Sequence, residues 1–399
     1  MRALLITDWM SGVGGAESYI TWVRDGLRAA GAEVKLLTSS AGSAGNGTAD
    51  YRAYGTERFA GQALLQIVNP FAVARVRSAL REFCPDVVLV NMFEHHLSPA
   101  ILGQLRGIPS VLSVTDYKCI CPVGSKLLPG GTLCTDRAGW VCQQLGCVSL
   151  AHWLRDRPRY ALIRAGLKHF DRVLACSRWV QRTLEIDGIR SEYHPLPVPL
   201  PGSDFVRTPA SEPLFVFCGR LDAEKGVPLL LRAFARVRTL APTAHLRIVG
   251  TGSQRPMLEQ LVHTLSLQGA VTFRGWVAPL HVERELVDAW ALVAPSLWAE
   301  PLGLVALEAI VRGVPVIASA SGGFGETVEH GVTGLLFSNG DENGLVAQLS
   351  AVVGREAFPD QTLPEAFVSK IREVHSIERY VHQLHQIFQE IVHVPLARP

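Results

Sequence analysis

Short apolar runs separated by amphipathic segments recur along the chain. Apolar residues with helical spacing follow the first apolar run and predict a helix from about Ala16 to Gly31. A last helix is predicted from Ser376 to Val392. Apolar strands that alternate with amphipathic helices indicate parallel sheets covered on both faces. The predicted strands are Ala3–Thr7, Glu33–Thr38, Asp86–Asn91 and Ser110–Val114 in the first half, and Leu214–Cys218, His245–Gly250, Val271–Phe273, Ala291–Ala294 and Val314–Ala318 in the second.

A proline-rich connector separates the two halves. Between Tyr193 and Pro201, four prolines stand at alternate positions. Proline lacks a backbone N–H and has a fixed φ, so this pattern forbids a helix and favours an extended link. It predicts a first domain over residues 1–196 and a second that begins at residue 197.

Composition agrees with a folded α/β protein. The chain has 399 residues, 48% of them hydrophobic and 19% charged, which is enough apolar material for two or three cores. The apolar run from Met1 to Thr7 is too short for a signal peptide and ends at Asp8, and no stretch reaches the length of a membrane span. These features predict a cytoplasmic protein.

Charge divides unevenly between the halves. Residues 1–199 hold 22 Lys and Arg against 16 Asp and Glu, whereas residues 200–399 hold 16 against 20. The arginines of the first half concentrate in residues 74–81 and 155–168. Such a basic face can meet an anionic acceptor or a membrane surface, or it can be an ordinary solvated surface.

Two glutamates eight positions apart, Glu300 and Glu308, follow the strand predicted at Ala291–Ala294. Pro301 suits the first turn of a helix, which places Glu300 at the helix entrance. The free backbone N–H groups of the first turn would then face a diphosphate, and Glu308 could accept two hydrogen bonds from a ribose diol. Alternatively, both glutamates are ordinary residues of a helix surface. The predicted donor-binding N–H groups are those of Leu302, Gly303 and Leu304.

Two cations stand five residues apart after another predicted strand. Arg220 and Lys225 lie in the loop that follows Leu214–Cys218. Two cations on such a loop can neutralise the charge that develops on a leaving diphosphate without a metal ion. The Asp-x-Asp pattern that often holds a divalent cation for this task does not occur in the sequence.

Together these segments resemble the family 4 glycosyltransferases. The run that contains Glu300 and Glu308 resembles the EX7E signature of that family, the loop from Phe217 to Gly226 resembles its phosphate-binding loop, and the segments 313–323 and 329–337 are similar to its later turns. The resemblance implies the GT-B fold, in which two Rossmann-like domains carry parallel sheets that face a central cleft. It also implies that residues 376–399 pack back on the first domain.

The resemblance further implies transfer of a hexose-type sugar, with retention of configuration, to a hydroxyl of an unidentified small-molecule, glycan or lipid-linked acceptor. A UDP-sugar is the favoured donor and GDP-mannose the second. Glu300, Arg220 and Lys225 would be catalytic, no cofactor would be needed for catalysis, and no nucleic acid is implicated.

Two alternatives stay open, namely a sugar-nucleotide epimerase of the same fold and a non-catalytic binding protein. The remaining donor-binding candidates are Gly14, Gly15, Gly250, Arg274 and Val277.

The chain departs from the family after the fourth strand. Thr115 occupies the place of the histidine in the usual His-Asp pair, so Thr115 and Asp116 are the candidate catalytic residues there, with His95 and His96 as a second source of imidazole. The glycines before the first helix do not form a dinucleotide-binding fingerprint, because Glu17 stands where its third glycine is needed.

Five of the eight cysteines cluster between residues 119 and 147. Four thiolates in one turn-rich loop could hold a structural zinc, although the spacing is not that of a standard zinc finger. Disulfides and plain buried thiols are the alternatives. The candidate zinc ligands, which match cysteines of some family members, are Cys121, Cys134, Cys142 and Cys147.

Overall fold

The computed structural model describes residues 1–9, 15–41, 49–56 and 59–393. The chain divides into two compact units. Unit 1 comprises Met1–Pro197 together with His375–Pro399, and unit 2 comprises Val198–Val374.

Unit 1 is built on a seven-stranded sheet in the order β3-β2-β1-β4-β5-β6-β7. Its strands pair in parallel, for example Leu4 with Val88. Every residue of the central strand β4 is buried, because helices cover both faces of a parallel sheet. The strands are β1 Arg2–Ile6, β2 Glu33–Ser39, β3 Tyr51–Ala53, β4 Val87–Val90, β5 Ser110–Val114, β6 Arg172–Ala175 and β7 Glu192–Tyr193.

The helices of unit 1 begin at side-chain caps that the sequence supplies. The Asn69 side chain accepts the Ala72 N–H at 3.0 Å, and Pro70 occupies the first turn. Ser149 and Ser177 cap two later helices in the same way. The helices are α1 Gly15–Ala29, α2 Phe59–Leu65, α3 Pro70–Phe83, α4 Val141–Gln144, α5 Leu150–Leu167 and α6 Arg178–Ile186, with a 3-10 turn at Pro99–Leu105.

Unit 2 is built on a six-stranded parallel sheet in the order β10-β9-β8-β11-β12-β13. Side chains alternate between its two faces, so Phe215 and Phe217 join one apolar core while Leu214 and Val216 join the other. The strands are β8 Leu214–Cys218, β9 His245–Val249, β10 Val271–Gly275, β11 Ala291–Ala294, β12 Val316–Ser319 and β13 Gly334–Phe337. The helices are α7 Val227–Arg238, α8 Arg255–Thr264, α9 Val282–Leu286, α10 Leu304–Ile310, α11 Phe324–Thr327, α12 Glu342–Val353 and α13 Glu365–Val374.

The last helix, α14 at Ile377–His393, belongs to unit 1 and packs against α1. The buried hydroxyls of Tyr19 and Tyr380 lie 2.6 Å apart, and the Tyr19 hydroxyl donates to Ser113 Oγ on β5 at 2.9 Å. Burial raises the pKa of Tyr19 to about 12, so this network is neutral. Unit 1 is therefore completed by a segment that follows all of unit 2 in the sequence.

The nine predicted strands are present, with ends within two residues of the observed ones. Strand β13 lies in the segment 329–337, which was predicted to form a turn and a strand. The short strands β3, β6 and β7 were not predicted. The prediction that Pro301 begins a helix is wrong, because α10 begins at Leu304. The residues before Leu304 instead run alongside the turn that follows β12, where Glu300 forms a parallel bridge with Gly322.

Candidate functional site

The carboxyl ends of two adjacent strands, β8 and β11, carry most of the predicted donor-binding residues of unit 2. In the order β8-β11-β12, β8 leads to the loop of Arg220 and Lys225, and β11 leads to the segment that ends at Gly303. Ligands of open parallel sheets bind at this edge, because the loops and the helix starts that follow the strands meet there. The topology therefore brings the two predicted motifs to one edge of one sheet.

Lys225 forms an ion pair with the buried Glu300. Lys225 Nζ donates to Glu300 Oε1 at 2.7 Å, and Ser296 Oγ donates to the same oxygen at 2.6 Å. Lys225 Nζ also lies 5.1 Å from the centre of the Trp298 ring. Burial alone would raise the pKa of Glu300, but the charge of Lys225 and the hydrogen bonds from Lys225, Ser296 and Trp298 outweigh it and lower the pKa. Glu300 is therefore a carboxylate at neutral pH.

The backbone around this pair is fixed from both sides. Gly226, which follows Lys225, has a φ of 69°, and a Cβ there would lie 2.0 Å from the Pro295 carbonyl oxygen. Only glycine can bring the two loops this close. On the other side, the turn after β12 holds the segment that carries Glu300. The carbonyl oxygens of Ser296, Trp298 and Glu300 accept hydrogen bonds of 2.6 Å from Ser319 Oγ, Ser321 Oγ and Gly323 N respectively.

Arg220 is engaged by carboxylates of its own loop. Its Nη1 lies 2.6 Å from Asp222 Oδ2, and its Nη2 lies 2.9 Å from Glu224 Oε1. The side chain is 45% exposed, so these are surface ion pairs of small net energy. An incoming diphosphate could displace them at modest cost.

Gly303 determines where α10 begins. It has a φ of 85°, and a Cβ at this position would lie 2.3 Å from Phe324 Cε1. Within the part of the chain that the structure describes, the N–H groups of Leu302, Gly303 and Leu304 donate no hydrogen bond. These three N–H groups are thus available, although the helix behind them is shorter than predicted.

Glu308 lies on α10, and its carboxylate makes no hydrogen bond with the described residues. Burial raises the pKa of Glu308 to about 7, and the nearby charge of Arg312 only partly opposes the shift. The Arg312 guanidinium instead donates to the Glu308 carbonyl oxygen at 2.9 Å. A desolvated carboxylate with available acceptor sites is suited to bind a pair of hydroxyl groups.

The remaining donor-binding candidates of unit 2 lie towards the other side of this sheet, on or after β9 and β10. Arg274 follows the middle of β10 and contacts both carboxylate oxygens of Glu285 at 3.1–3.2 Å. Arg274 and Val277 line a cavity of about 1040 Å³. The Gly250 N–H, at the end of β9, donates to the Gly275 carbonyl oxygen at 2.7 Å.

In unit 1, Thr115 and Asp116 follow β5 directly. Asn91 Nδ2 donates to Thr115 Oγ1 at 2.9 Å, which fixes the hydroxyl. Asp116 Oδ1 accepts the Lys118 N–H at 3.0 Å, and its Oδ2 lies 3.6 Å from Lys118 Nζ. Gly15 is the exposed first residue of α1, whereas Gly14 lies outside the described residues.

The sequence patterns did not identify two acidic residues at the carboxyl edge of the unit 1 sheet. Asp8, directly after β1, accepts the backbone N–H groups of His95, His96 and Leu97. Glu94 is buried, and burial together with the charge of Asp116 raises its pKa to about 8. The signal that could have identified Asp8 and Glu94 is their position just beyond strands that are neighbours in the sheet.

His95 and His96 lie in the same loop, after β4. The His95 ring stacks on Trp9 with centroids 5.0 Å apart. Burial, with the charge of Lys118, lowers the pKa of His95 to about 4. His95 is therefore a neutral imidazole at physiological pH.

The cysteine cluster was predicted as a candidate site for a structural zinc. Within residues 1–9, 15–41, 49–56 and 59–393, no three His, Cys, Asp or Glu side chains are placed to hold a metal ion. The eight cysteines are free thiols, which also argues against the disulfide alternative. Burial raises the pKa of Cys142 and Cys147, and each of the two is raised further by the charge of its neighbours in the cluster, Cys121 and Cys134. The four side chains proposed as zinc ligands are thus close enough to one another for their charges to interact.

No described helix has the combination of length and hydrophobicity that a bilayer crossing requires.

Both halves of the chain match known family models. The description "Glycosyl transferase 4-like domain" matches residues 14–199, and "Glycosyl transferases group 1" matches residues 204–374. Glycogen synthase of Mycobacterium tuberculosis is 38% identical over 147 residues, which are 37% of this chain and 35% of that protein. The match thus spans about a third of the length of this relative.

Solved structures resemble the whole chain. Sucrose-phosphate synthase from Thermosynechococcus elongatus superposes with a TM-score of 0.76 at 23% identity, over 98% of this chain and 99% of that one. Anabaena HepE in complex with UDP-glucose superposes with a TM-score of 0.68 at 18% identity, over 98% of this chain and 100% of that one. The two parallel-sheet units and the two family matches place the chain among the glycosyltransferases with the GT-B fold.

Proposed function

We propose that this protein is a retaining glycosyltransferase that moves a hexose-type sugar from a nucleotide-diphosphate sugar to a hydroxyl of an acceptor. The ion pair between Lys225 and the buried Glu300 carries the proposal. A cation and a carboxylate held together at the carboxyl edge of a parallel sheet supply one group for a leaving diphosphate and one for sugar hydroxyls.

The proposed catalysis depends on charge and orientation. As the bond between sugar and diphosphate breaks, negative charge develops on the phosphate oxygens. Lys225 and the free N–H groups of Leu302, Gly303 and Leu304 would stabilise that charge with little reorganisation, because their backbone is fixed. Arg220 would join them after it leaves its surface ion pairs with Asp222 and Glu224. If the acceptor hydroxyl attacks on the face that the diphosphate leaves, configuration is retained and no protein nucleophile is needed.

A UDP-sugar is the first donor to test, because HepE, which shares the fold, has been solved with UDP-glucose. GDP-mannose is the second. For the acceptor, Asp116, Lys118 and His95 of unit 1 offer a carboxylate, an ammonium and a neutral imidazole to hydroxyl or phosphate groups. Catalysis by this route requires no metal ion.

The direct test is to incubate the protein with UDP-glucose, UDP-galactose or GDP-mannose and to measure release of the nucleotide diphosphate. Thermal shifts with UDP and GDP identify the base beforehand. Slow hydrolysis of one donor, accelerated by a hydroxyl acceptor, is the expected result. A thermal shift without any release would indicate a binding protein, and a changed sugar on an intact nucleotide would indicate an epimerase.

Proton NMR of the product reports the anomeric configuration, and inversion would refute retention.

Nucleotide affinity should depend on pH through Glu308. The pKa of its carboxyl group is raised to about 7, and a ribose diol binds best to the ionised form. Affinity for UDP should therefore increase as the pH rises through 7, and be about tenfold weaker at pH 6 than at pH 8. Calorimetric titration at both values measures this change.

The E308Q variant is the control for that titration, because the phosphate groups of UDP titrate equally with both proteins. We expect its affinity to vary less between pH 6 and pH 8 than that of the wild type. Equal pH dependence in the two proteins would show that Glu308 does not contact the nucleotide.

The partners of Arg220 provide a separate prediction. If Arg220 leaves Glu224 to bind the diphosphate, E224Q removes a competitor and should strengthen UDP binding by up to about fivefold, the typical worth of an exposed ion pair. The matched control is E259Q on α8, which breaks the equally spaced pair Arg255–Glu259 of 2.8 Å. Weaker UDP binding by E224Q would mean that Glu224 itself serves the ligand.

A further inference from the structure

One face of α5 exposes large apolar side chains. The spacing of four residues places them on one side of the helix, namely Leu150, Trp153, Leu154 and Arg157. Leu150 is 49% exposed and Leu154 is 52% exposed. Soluble proteins scatter single apolar residues over their surface, whereas a contiguous group marks an interaction site.

The orientation of α5 is fixed by its opposite side. Arg159, Ile163 and Gly166 are buried there. A Cβ on Gly166 would lie 2.5 Å from Leu102 Cδ1, so the helix packs directly on the turn at Pro99–Leu105. The apolar residues of the other face cannot turn inward while this contact exists.

A second tryptophan extends the exposed face. Trp140, just before α4, is 47% exposed, and its ring meets that of Trp153 edge to face at a centroid distance of 4.8 Å. The Trp153 indole N–H donates to the Gly139 carbonyl oxygen at 3.3 Å. The Arg157 guanidinium lies 5.0 Å from the centre of the Trp153 ring. We call Trp140, Leu150, Trp153, Leu154 and Arg157 the outer α5 face.

The surroundings of the outer α5 face are cationic. Residues 137–168 contain six Lys and Arg but only one acidic residue, Asp156, which pairs with Arg155 at 2.7 Å. In the other basic cluster of unit 1, on α3, Arg75 pairs with Glu82 and Arg77 donates to Gln104. Arg155, Arg159 and Arg164 are engaged by Asp156 and by backbone carbonyls, whereas Arg157 is exposed beside the apolar side chains of α5.

We infer that the outer α5 face docks on an anionic phospholipid bilayer. Leucine side chains beside tryptophan rings and arginine match the lipid–water boundary, where the indoles occupy the headgroup level and cations attract acidic lipids. A second copy of the chain fits this face poorly. In a two-fold interface the same excess of positive charge would face itself. This inference does not depend on the sugar-transfer activity.

Sedimentation with vesicles of phosphatidylcholine and phosphatidylglycerol at a ratio of 7:3 tests the inference, with pure phosphatidylcholine vesicles as reference. The wild type should pellet with the anionic vesicles at low salt, and should bind pure phosphatidylcholine at least tenfold more weakly. The R157Q variant should lower the partition coefficient about fivefold, the effect of one cation near an anionic surface. L150Q/L154Q should lower it at least tenfold.

The matched control is Leu240→Gln in unit 2, since Leu240 is 73% exposed and lies outside the outer α5 face. It should bind vesicles like the wild type. All variants should keep the wild-type melting temperature and nucleotide affinity, because the changed side chains are exposed.

Three results would overturn the inference. The first is no binding of the wild type to anionic vesicles at low salt. The second is L150Q/L154Q binding as well as the wild type. The third is a wild-type dimer in light scattering that L150Q/L154Q converts to a monomer, which would assign the outer α5 face to self-association.

Discussion

Replacing Lys225 with alanine is expected to lower turnover by on the order of 10²-fold, as removal of one preorganised charge stabiliser does in other enzymes. It should also destabilise unit 2 by about 3–5 kcal/mol, because Glu300 would keep a buried charge without its partner 2.7 Å away. Steady-state release of nucleotide diphosphate measures the first effect, and urea denaturation measures the second.

The two effects of K225A can be separated by a second substitution. In K225A/E300Q no charge is left unpaired, so most of the stability should return while turnover stays low. The stability loss of K225A itself should shrink as the pH is lowered, because the pKa of the unpaired Glu300 rises and the acid becomes neutral. In the wild type, lowering the pH has the opposite effect on the free energy of unfolding. The lowered pKa of Glu300 gives a stabilisation that is lost as the carboxylate is protonated at low pH.

A surface ion pair provides the comparison. R232A breaks the contact of 2.8 Å between Arg232 and Glu342, in which the arginine side chain is 45% exposed. It should cost less than about 1 kcal/mol and leave turnover unchanged. Full activity of K225A would contradict the proposed site.

Replacing Glu308 with glutamine is expected to weaken UDP binding by about 10- to 100-fold, the worth of one or two hydrogen bonds to a charged group. The amide keeps the shape of the side chain but offers one acceptor oxygen and no charge. Calorimetric titration at pH 8, where the wild-type carboxyl is ionised, measures the difference. Because a buried acid with a raised pKa destabilises the folded state at high pH, E308Q should also be more stable than the wild type at pH 8.

The nucleotide itself supplies the control for E308Q. A 2′,3′-dideoxy analogue of UDP has no ribose diol, so it should bind the wild type and E308Q almost equally. If E308Q weakens binding of the analogue as much as that of UDP, Glu308 acts elsewhere on the ligand or on the fold.

Sequence patterns predicted the strands of this protein better than its side-chain contacts. An apolar run of four or five residues identifies a buried strand, which is why Leu214–Cys218 and Ala291–Ala294 were predicted with their exact bounds. Strand β6 was missed although residues 173–176 form an apolar run, because the charged residues Asp171 and Arg172 stand at its start. The start of α10 was misplaced because the conformation of Gly303 depends on Phe324, which lies 21 positions later.

The same limit applies to the candidate site. Lys225 and Glu300 were each predicted for a different part of the donor, but their mutual ion pair joins residues 75 positions apart and depends on strand order. The engagement of Arg220 by Asp222 and Glu224 was also not predicted, because a loop sequence does not state which of its charges meet. Positions at strand ends can be inferred from a sequence, whereas pairings across loops require the fold.

The packing of α14 on α1 affects how the chain folds during synthesis. Unit 2 is one continuous segment, Val198–Val374, whereas unit 1 needs Tyr380 to meet Tyr19 across 361 positions. Domains fold as their residues leave the ribosome. We therefore expect unit 2 to reach its native state first, and the amino-terminal sheet to wait, with the surface of α1 uncovered, until the last helix is released.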